Sequence, residues 1–185
     1  MAPDTAPDTD AVDQLRLVRA AQRGDALALA GLMDLLAPYV GRICGPIALD
    51  EGPDAAQEAL IVILRSIKDL REPAALFGWA RVIAVREAVR IAKRGAGTVP
   101  ADPQELGTLL HGHSSPDAAD LGLSLGIEVR DVLSRLSPEH RAVLMLRDLE
   151  GLDEEDASRI LAVPAGTVRS RLFRARRGFR KEWER

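Results

Sequence analysis

The sequence predicts an all-α protein built as two small helical domains joined by a flexible linker. Three observations carry that expectation. Aromatic residues make up 3% of the 185 residues, so the core falls to Leu, Ile, Val and Ala, and no long alternating β-branched run appears. Apolar residues recur at three- and four-residue spacing along most of the chain. Between residues 95 and 121, GAGTVPADPQELGTLLHGHSSPDAADL, that periodicity fades and Gly, Pro, Ser and Asp take over.

Residues 1–12, MAPDTAPDTDAV, nearly repeat the unit APDT and are too polar to bury surface, which predicts a disordered acidic tail. A first domain over 13–94 opens with a helix over Gln14–Gln22, ended by Gly24. A second helix over Ala26–Ile43 aligns Leu29, Leu32, Met33, Leu36 and Val40, and Gly45-Pro46 is expected to break it. Pro53 suits the first turn of a third helix, capped by Asp50 or Gly52 and running to about Asp69. Pro73 starts a fourth, which runs to about Arg94.

The second domain spans 122–185. Ile127, Val129, Val132 and Leu133 predict its first helix. Ser137 caps the next, with Pro138 at its first position and Gly151 at its end. Asp153 caps another, with Asp156 near the capping-box position. Residues 162–166, AVPAG, make a tight turn, and a last helix runs from about Thr167 toward Trp183.

That last helix is densely basic. Val168, Leu172, Ala175 and Phe179 form one apolar seam for packing. Ala165, Thr167, Arg169, Ser170 and Arg171, near its start, are candidate readers of base edges. Arginine can pair bidentately with guanine. Arg174, Arg176 and Arg177 lie further along and suit phosphates. A basic helix at a chain end is often only a solvated face, but the capped helix and tight turn before it favour a helix-turn-helix reader of the major groove.

Charge distribution supports this. The formal net charge is −3, yet acids gather in the tail and between Asp148 and Asp156, while bases gather over 86–94 and 169–185. Local positive patches govern phosphate contact, whatever the sum. On the fourth helix Arg86, Arg90, Lys93 and Arg94 share about a third of the circumference, with Trp79 at one end of the stripe. Such a face can hold a nucleic-acid backbone, although core packing is the better role for the ring itself. On the third helix Ala56, Leu60, Ile63 and Ile67 face the core. Asp54, Gln57, Glu58, Ile61 and Arg65 face away, a polar side with an apolar centre that fits a protein interface as well as plain solvent exposure.

Together these residues resemble the extracytoplasmic-function (ECF) sigma factors of bacterial RNA polymerase, in the sigma-70 family. The resemblance runs from about Gln14 to Trp183. Asp54-Ala-Ala-Gln57-Glu58 and Trp79-Ala-Arg-Val-Ile83-Ala84 look like signatures of the family's region 2. Leu136-Ser-Pro, Val143–Arg147, Leu149-Glu-Gly-Leu152, Gly166-Thr-Val-Arg-Ser-Arg-Leu172 and Arg174-Ala-Arg-Arg177 look like its region 4. Four positions depart: Leu60 where an aromatic is common, Arg86 where Asn is, Arg90 where Asp is, and Pro164 in place of a Ser-type helix cap.

The resemblance implies a region 2-like bundle followed by a region 4-like helix-turn-helix. It implies that Asp54, Gln57, Glu58, Ile61 and Arg65 dock on the clamp helices of the largest subunit of core RNA polymerase. Arg71, Trp79, Arg86, Arg90, Lys93 and Arg94 would engage the −10 element of promoter DNA. Ala165, Thr167, Arg169, Ser170, Arg171, Arg174, Arg176 and Arg177 would engage the −35 element. An anti-sigma factor is a further partner it implies.

Two other functions fit the sequence less well. A stand-alone helix-turn-helix transcriptional regulator would need a ligand, phosphoacceptor or dimerisation context, and the first domain shows none. An enzyme would need a catalytic constellation. His111 and His113 sit in the linker without acidic ligands at metal-site spacing, and no phosphate-binding or nucleotide loop is present. No cofactor and no metal site are expected. Cys44 stands alone, the acidic, Pro-rich start lacks the basic-then-apolar pattern expected of a signal peptide, and no apolar stretch is expected to span a bilayer, so a cytoplasmic protein without membrane insertion is predicted.

Overall fold

A computed structural model of the chain describes residues 9–97 and 126–185. Among the described residues every regular element is helical. Helices α1 (Thr9–Gln22), α2 (Ala26–Ala48), α3 (Gly52–Ser66) and α4 (Leu76–Gly97) form the N-terminal body. Helices α5 (Ile127–Ser134), α6 (Pro138–Leu144), α7 (Glu154–Leu161) and α8 (Ala165–Trp183) form the C-terminal one. The all-α expectation is met. The linker histidines His111 and His113, and any helical turn in the linker, lie outside the described residues.

Helix α1 starts at Thr9, not near Gln14, so residues 9–12 are helical although their composition suggested a disordered tail. A helix begun at Gln14 would scarcely repay its nucleation, and the extra turn helps it persist. Its far end is fixed by Gly24, whose φ of 88° reverses the chain. Asp25 then caps α2, accepting from the Leu27 and Ala28 N–H groups (2.9 and 3.1 Å).

Gly45-Pro46 does not break α2. The helix carries both Pro38 and Pro46 inside it and continues to Ala48. Each proline removes one backbone hydrogen bond, a cost of about 3 kcal/mol or more in an ordinary helix. At the second proline burial offsets it: Pro46, Ile47 and Ala48 are all buried, whereas Pro38 is exposed. Gly45 has a different role. A Cβ on Gly52 would lie 3.0 Å from the Gly45 Cα, so a glycine pair lets α3 start hard against α2.

Neither Asp50 nor Gly52 caps α3. A short 3-10 turn, Leu49–Glu51, leads into it, and Pro53 occupies the first turn as expected. A second 3-10 turn ends that stretch at Asp69, and a third, Pro73–Ala75, leads into α4. The Gln22 side-chain amide donates to the Ile67 and Leu70 carbonyls (3.0 and 2.7 Å), pinning the loop that carries Arg71.

Helix α2 is the central post. Leu32, Leu36, Val40, Ile43 and Ile47 are fully buried where α1, α3 and α4 pack around it. The run Ala26–Asp69 has a mean hydropathy of 1.4 and is long and apolar enough to cross a bilayer by length and composition, contrary to the expectation that no such stretch exists. The run covers α2 and α3, and packing explains much of the hydropathy: one face of each helix is buried in the bundle, while Leu27 and Leu35 of α2 remain exposed.

The caps of the second body are those the sequence predicts. The Ser137 hydroxyl accepts from the His140 N–H (3.3 Å), and Asp153 accepts from the Asp156 N–H (2.7 Å). Beyond α6 the chain loosens into a π-helical turn, Met145–Leu149, and Gly151 (φ 67°) ends it. Ala162 takes the left-handed conformation at the turn, and α8 starts at Ala165 with Pro164 providing no side-chain cap. Asp153→Ala is expected to cost about 1 kcal/mol, which thermal melting followed by circular dichroism would read as a fall of about 2–4 °C.

The two bodies are not held apart. Val143, Met145, Leu146 and Ile160 belong to the same buried cluster as Ile47, Ala84, Val85 and Ala88. Helix α6 lies on α2 and α4, and α7 lies on α4. The sequence predicts two helical domains on a flexible linker; in this structure their apolar faces meet in a shared core.

Candidate nucleic-acid interface

Helix α8 is set by its apolar seam. Val168 and Ala175 are fully buried and Leu172 is nearly so, while Phe179 is half-buried and stacks on Trp183 with centroids 6.0 Å apart. With that side fixed inward, about 100° per residue distributes the remaining positions. Ser170 and Arg177 sit at the centre of the outward arc, with Arg174 on one side of them and Arg169 and Arg176 on the other. Ala165 lies at the edge of the seam, and Thr167 and Arg171 lie on the opposite flank. Arg169, Arg174, Arg176 and Arg177 are exposed; Ala165, Thr167, Ser170 and Arg171 are half-buried.

An open groove of about 670 Å³ runs along the outward arc, lined in part by Arg147, Arg169, Arg176, Arg177 and Phe173. Phe173 is 68% exposed. Sequence reasoning missed it, although a bulky apolar residue one turn after Arg169 and off the seam was a visible signal. An aromatic there adds an apolar surface of the kind that meets a thymine methyl.

Two of the arginines are held in forked pairs. Arg169 donates to both Glu154 oxygens (3.0 and 2.8 Å), and Arg176 donates to both Asp148 oxygens (3.2 and 2.5 Å). The hydrogen bond to Arg169 is the main reason the Glu154 carboxyl is held below its usual range. These pairs are solvent-exposed, so exchanging a carboxylate for a phosphate costs little. They preorganise the guanidinium forks and shield part of their charge.

Arg171 differs. It lines the cleft between the two bodies together with Arg86, Val89, Lys93 and Glu139. Burial, with the charges of Arg174 and Arg171, holds His140 below its ordinary pKa, although Glu139 opposes the shift.

The basic stripe of α4 is real but not bare. Arg86 donates from Nε to the Ile160 carbonyl (3.2 Å) and from Nη2 to the Arg159 carbonyl (3.4 Å), at the C-terminal end of α7. Arg90 pairs with Glu87 (2.5 Å) and reaches Glu58 (3.9 Å). Lys93 pairs with Glu139 across the seam (2.6 Å). Burial pushes the Glu139 carboxyl up, but the hydrogen bond from Lys93 and the charges of Lys93 and Arg171 leave it below its usual range. That pair therefore contributes above the ordinary carboxylate range and fades as pH falls through the lowered value. Arg71 is exposed in the loop before α4, and the half-buried Trp79 packs against the core, the role favoured for it on sequence.

On α3, Asp54, Gln57, Glu58 and Arg65 are exposed and Ile61 is half-buried. Ala55 and Ala59, passed over in the sequence reading, join Ile63 and Ile67 in the core, while Leu60 is only half-buried. Asp54, Gln57 and Glu58 share a groove with Arg90, Ile91 and Arg94. The acidic face of α3 and the distal end of the α4 stripe thus form one continuous surface.

Comparison with known proteins bears on this arrangement. Residues 127–177, from α5 into α8, match the family model "Sigma-70, region 4". The chain is 32% identical over 169 residues to the ECF RNA polymerase sigma-E factor of Haemophilus influenzae, covering 86% of this chain and 89% of that one. It is 34% identical over 180 residues to the RNA polymerase sigma-H factor of Pseudomonas aeruginosa, covering 90% and 91%. Among solved structures, its fold is similar to CnrH in complex with the cytosolic domain of CnrY (TM-score 0.56, 16% identity, 91% and 95% covered). It is also similar to the sigma factor RpoE in complex with the anti-sigma factor NepR from Bartonella quintana (TM-score 0.58, 21% identity, 84% and 96% covered).

Proposed function

Because this chain belongs to the ECF sigma factors of the sigma-70 family, we propose that its three surfaces divide the work of promoter-specific initiation. The protein binds core RNA polymerase and directs it to promoters. The exposed arginine arc of α8 reads the −35 element as duplex: Arg169 and Ser170 meet base edges, and Arg174, Arg176 and Arg177 meet phosphates. Phe173 adds apolar contact on the same arc. The α4 stripe with Arg71 takes the −10 element. The face built by Asp54, Gln57, Glu58, Ile61 and Arg65 docks on the clamp helices of the largest polymerase subunit. The protein supplies positioning and strand capture in the cytoplasm, and the polymerase supplies the chemistry.

One observation carries this reading. A capped helix and a left-handed turn at Ala162 present an exposed arginine face on α8, on the same chain as a separate acidic face on α3. A duplex reader with its own polymerase-docking surface is what a sigma factor requires. An anti-sigma factor is the expected inhibitory partner, in keeping with the complex formed by the similarly folded RpoE.

Asp54→Lys with Glu58→Lys is expected to weaken core-polymerase binding about tenfold, since like charges brought together at an interface rim chiefly slow association and misalign docking. Fluorescence titration with labelled polymerase reads the change. Unaltered affinity would remove both residues from the interface.

A further inference from the structure

We propose that Gln22, the last residue of α1, is a positioning residue for strand capture: its side chain grips the loop ahead of α4 and so sets which bases the chain prefers at the −10 element. The base-preference half of this proposal rests on the reading of Arg71 as part of the −10 surface. The grip itself rests on geometry alone.

A glutamine amide nitrogen carries two protons. That of Gln22 donates to two backbone carbonyls far along the chain, Ile67 at 3.0 Å and Leu70 at 2.7 Å. Two acceptors on one side fix which way the amide faces. The Leu70 carbonyl matters most. It shares one planar peptide unit with the Arg71 nitrogen, so holding its oxygen holds the plane from which Arg71 leaves the loop. Leu70 turns the chain at that point, with φ −70° and ψ 101° after the 3-10 turn Ile67–Asp69.

The rest of the loop is organised around this grip. Ile67, Leu70, Pro73 and Leu76 are buried, one in every three, and the positions between them are exposed. An inward residue at every third position matches the pitch of the two 3-10 turns. Helix α1 packs on both turns and is itself seated by the buried Val18 and Ala21. The loop is thus backed along its inner side by one helix, and its outer edge carries the Arg71 guanidinium into solvent.

Capture of a parted strand favours an edge that is in place beforehand, because a loop already ordered carries no ordering cost when the strand arrives. A fixed guanidinium also discriminates: it suits one base and cannot shift to suit another, whereas a slack one accommodates both. Without the Gln22 donors α1 would still pack on the loop, but the Leu70–Arg71 peptide would be free to swing. The expected consequence is a loss of base preference rather than a loss of fold.

The test compares the full chain with Gln22→Met, which keeps the side-chain length and loses both donors, and with Gln22→Lys, which keeps donors at similar reach. Hydrogen exchange read by mass spectrometry reports on the loop without any partner. Amides of residues 67–75 should exchange about tenfold faster in Gln22→Met, those of α2 should not change, and Gln22→Lys should stay near the parent. Run-off transcription with core polymerase then reads base preference, on a promoter the parent selects and on copies with each −10 base replaced in turn. In Gln22→Met the preference at the bases nearest the loop should fall about tenfold, with −35 preferences and polymerase affinity kept. Arg71→Ala should lose the same preference, and the double variant should lose no more. Unchanged loop exchange in Gln22→Met, or equal loosening in Gln22→Lys, would overturn the grip. Slower transcription with base preference intact, or losses that add in the double variant, would overturn the role in strand capture. No promoter-selective start from the parent would overturn the sigma reading instead, and the exchange result would still judge the grip.

Discussion

Arg169→Ala together with Arg174→Ala is expected to lower promoter-dependent initiation roughly 10²- to 10³-fold while leaving affinity for core polymerase unchanged. An arginine that pairs well with a base edge, as proposed for Arg169, discriminates by about 1–3 kcal/mol, and loss of the proposed Arg174 phosphate contact compounds it. Both side chains are exposed on α8, and neither contributes to the buried seam of Val168, Leu172 and Ala175. Folding should therefore survive, and melting temperature is the control. Removing Arg169 also frees Glu154 of its partner, which leaves a carboxylate facing the major groove and adds repulsion. The defect should be read by run-off transcription beside a polymerase-binding titration. A matching fall in polymerase affinity would contradict the separation of the two surfaces.

Arg141→Met should be strongly destabilising although it creates no large cavity. Arg141 is 7% exposed and its guanidinium donates to three carbonyls: Ile47 (2.7 Å), Leu136 (2.8 Å) and Leu133 (3.4 Å). Burial lowers its pKa, yet a guanidinium remains protonated. Methionine keeps much of the stem volume, so no large cavity opens. It takes this donor from the Ile47 and Leu136 carbonyls, at about 1–3 kcal/mol each, while the Leu133 carbonyl keeps the Leu136 N–H (3.0 Å), and removal of a buried cation offsets part of the loss. A net loss of about 3 kcal/mol is expected, which in a chain of this size lowers the melting temperature by roughly 6–12 °C. A variant that melts with the parent would show that these carbonyls find other partners and that Arg141 is not a keystone.

The helices and their caps were legible because short-range chemistry decides them. Ser137, Asp153, Pro53, Gly24 and Gly151 each act within a few residues of themselves. Pro46 was misread because its cost is local while its compensation, burial beside Ile47 and Ala48, is tertiary. The hydropathy of α2 was likewise ambiguous, since a bundle post and a membrane span share composition until neighbours are known. Least legible was the seam between the bodies. Glu150 and Arg141 sit in polar stretches where any charged residue reads as solvated, and only the fold shows that each reaches into the other body. The same holds for the candidate sites. The outward arc of α8 and the polar face of α3 follow from helical periodicity, whereas the pairing of Arg86 with the end of α7 depends on an approach no sequence pattern encodes. Phe173 was legible from its place off the apolar seam, but a single apolar residue on a polar face carries no signal of its own.

The most direct measurement is run-off transcription from fragments of the source genome with core RNA polymerase, with and without the protein. The expected result is a set of discrete transcripts that require both components, whose start sites share one pair of upstream elements spaced for α4 and α8 to engage together. Polymerase that binds the protein yet gains no selective start, or duplex binding with equal selectivity in the absence of polymerase, would contradict it.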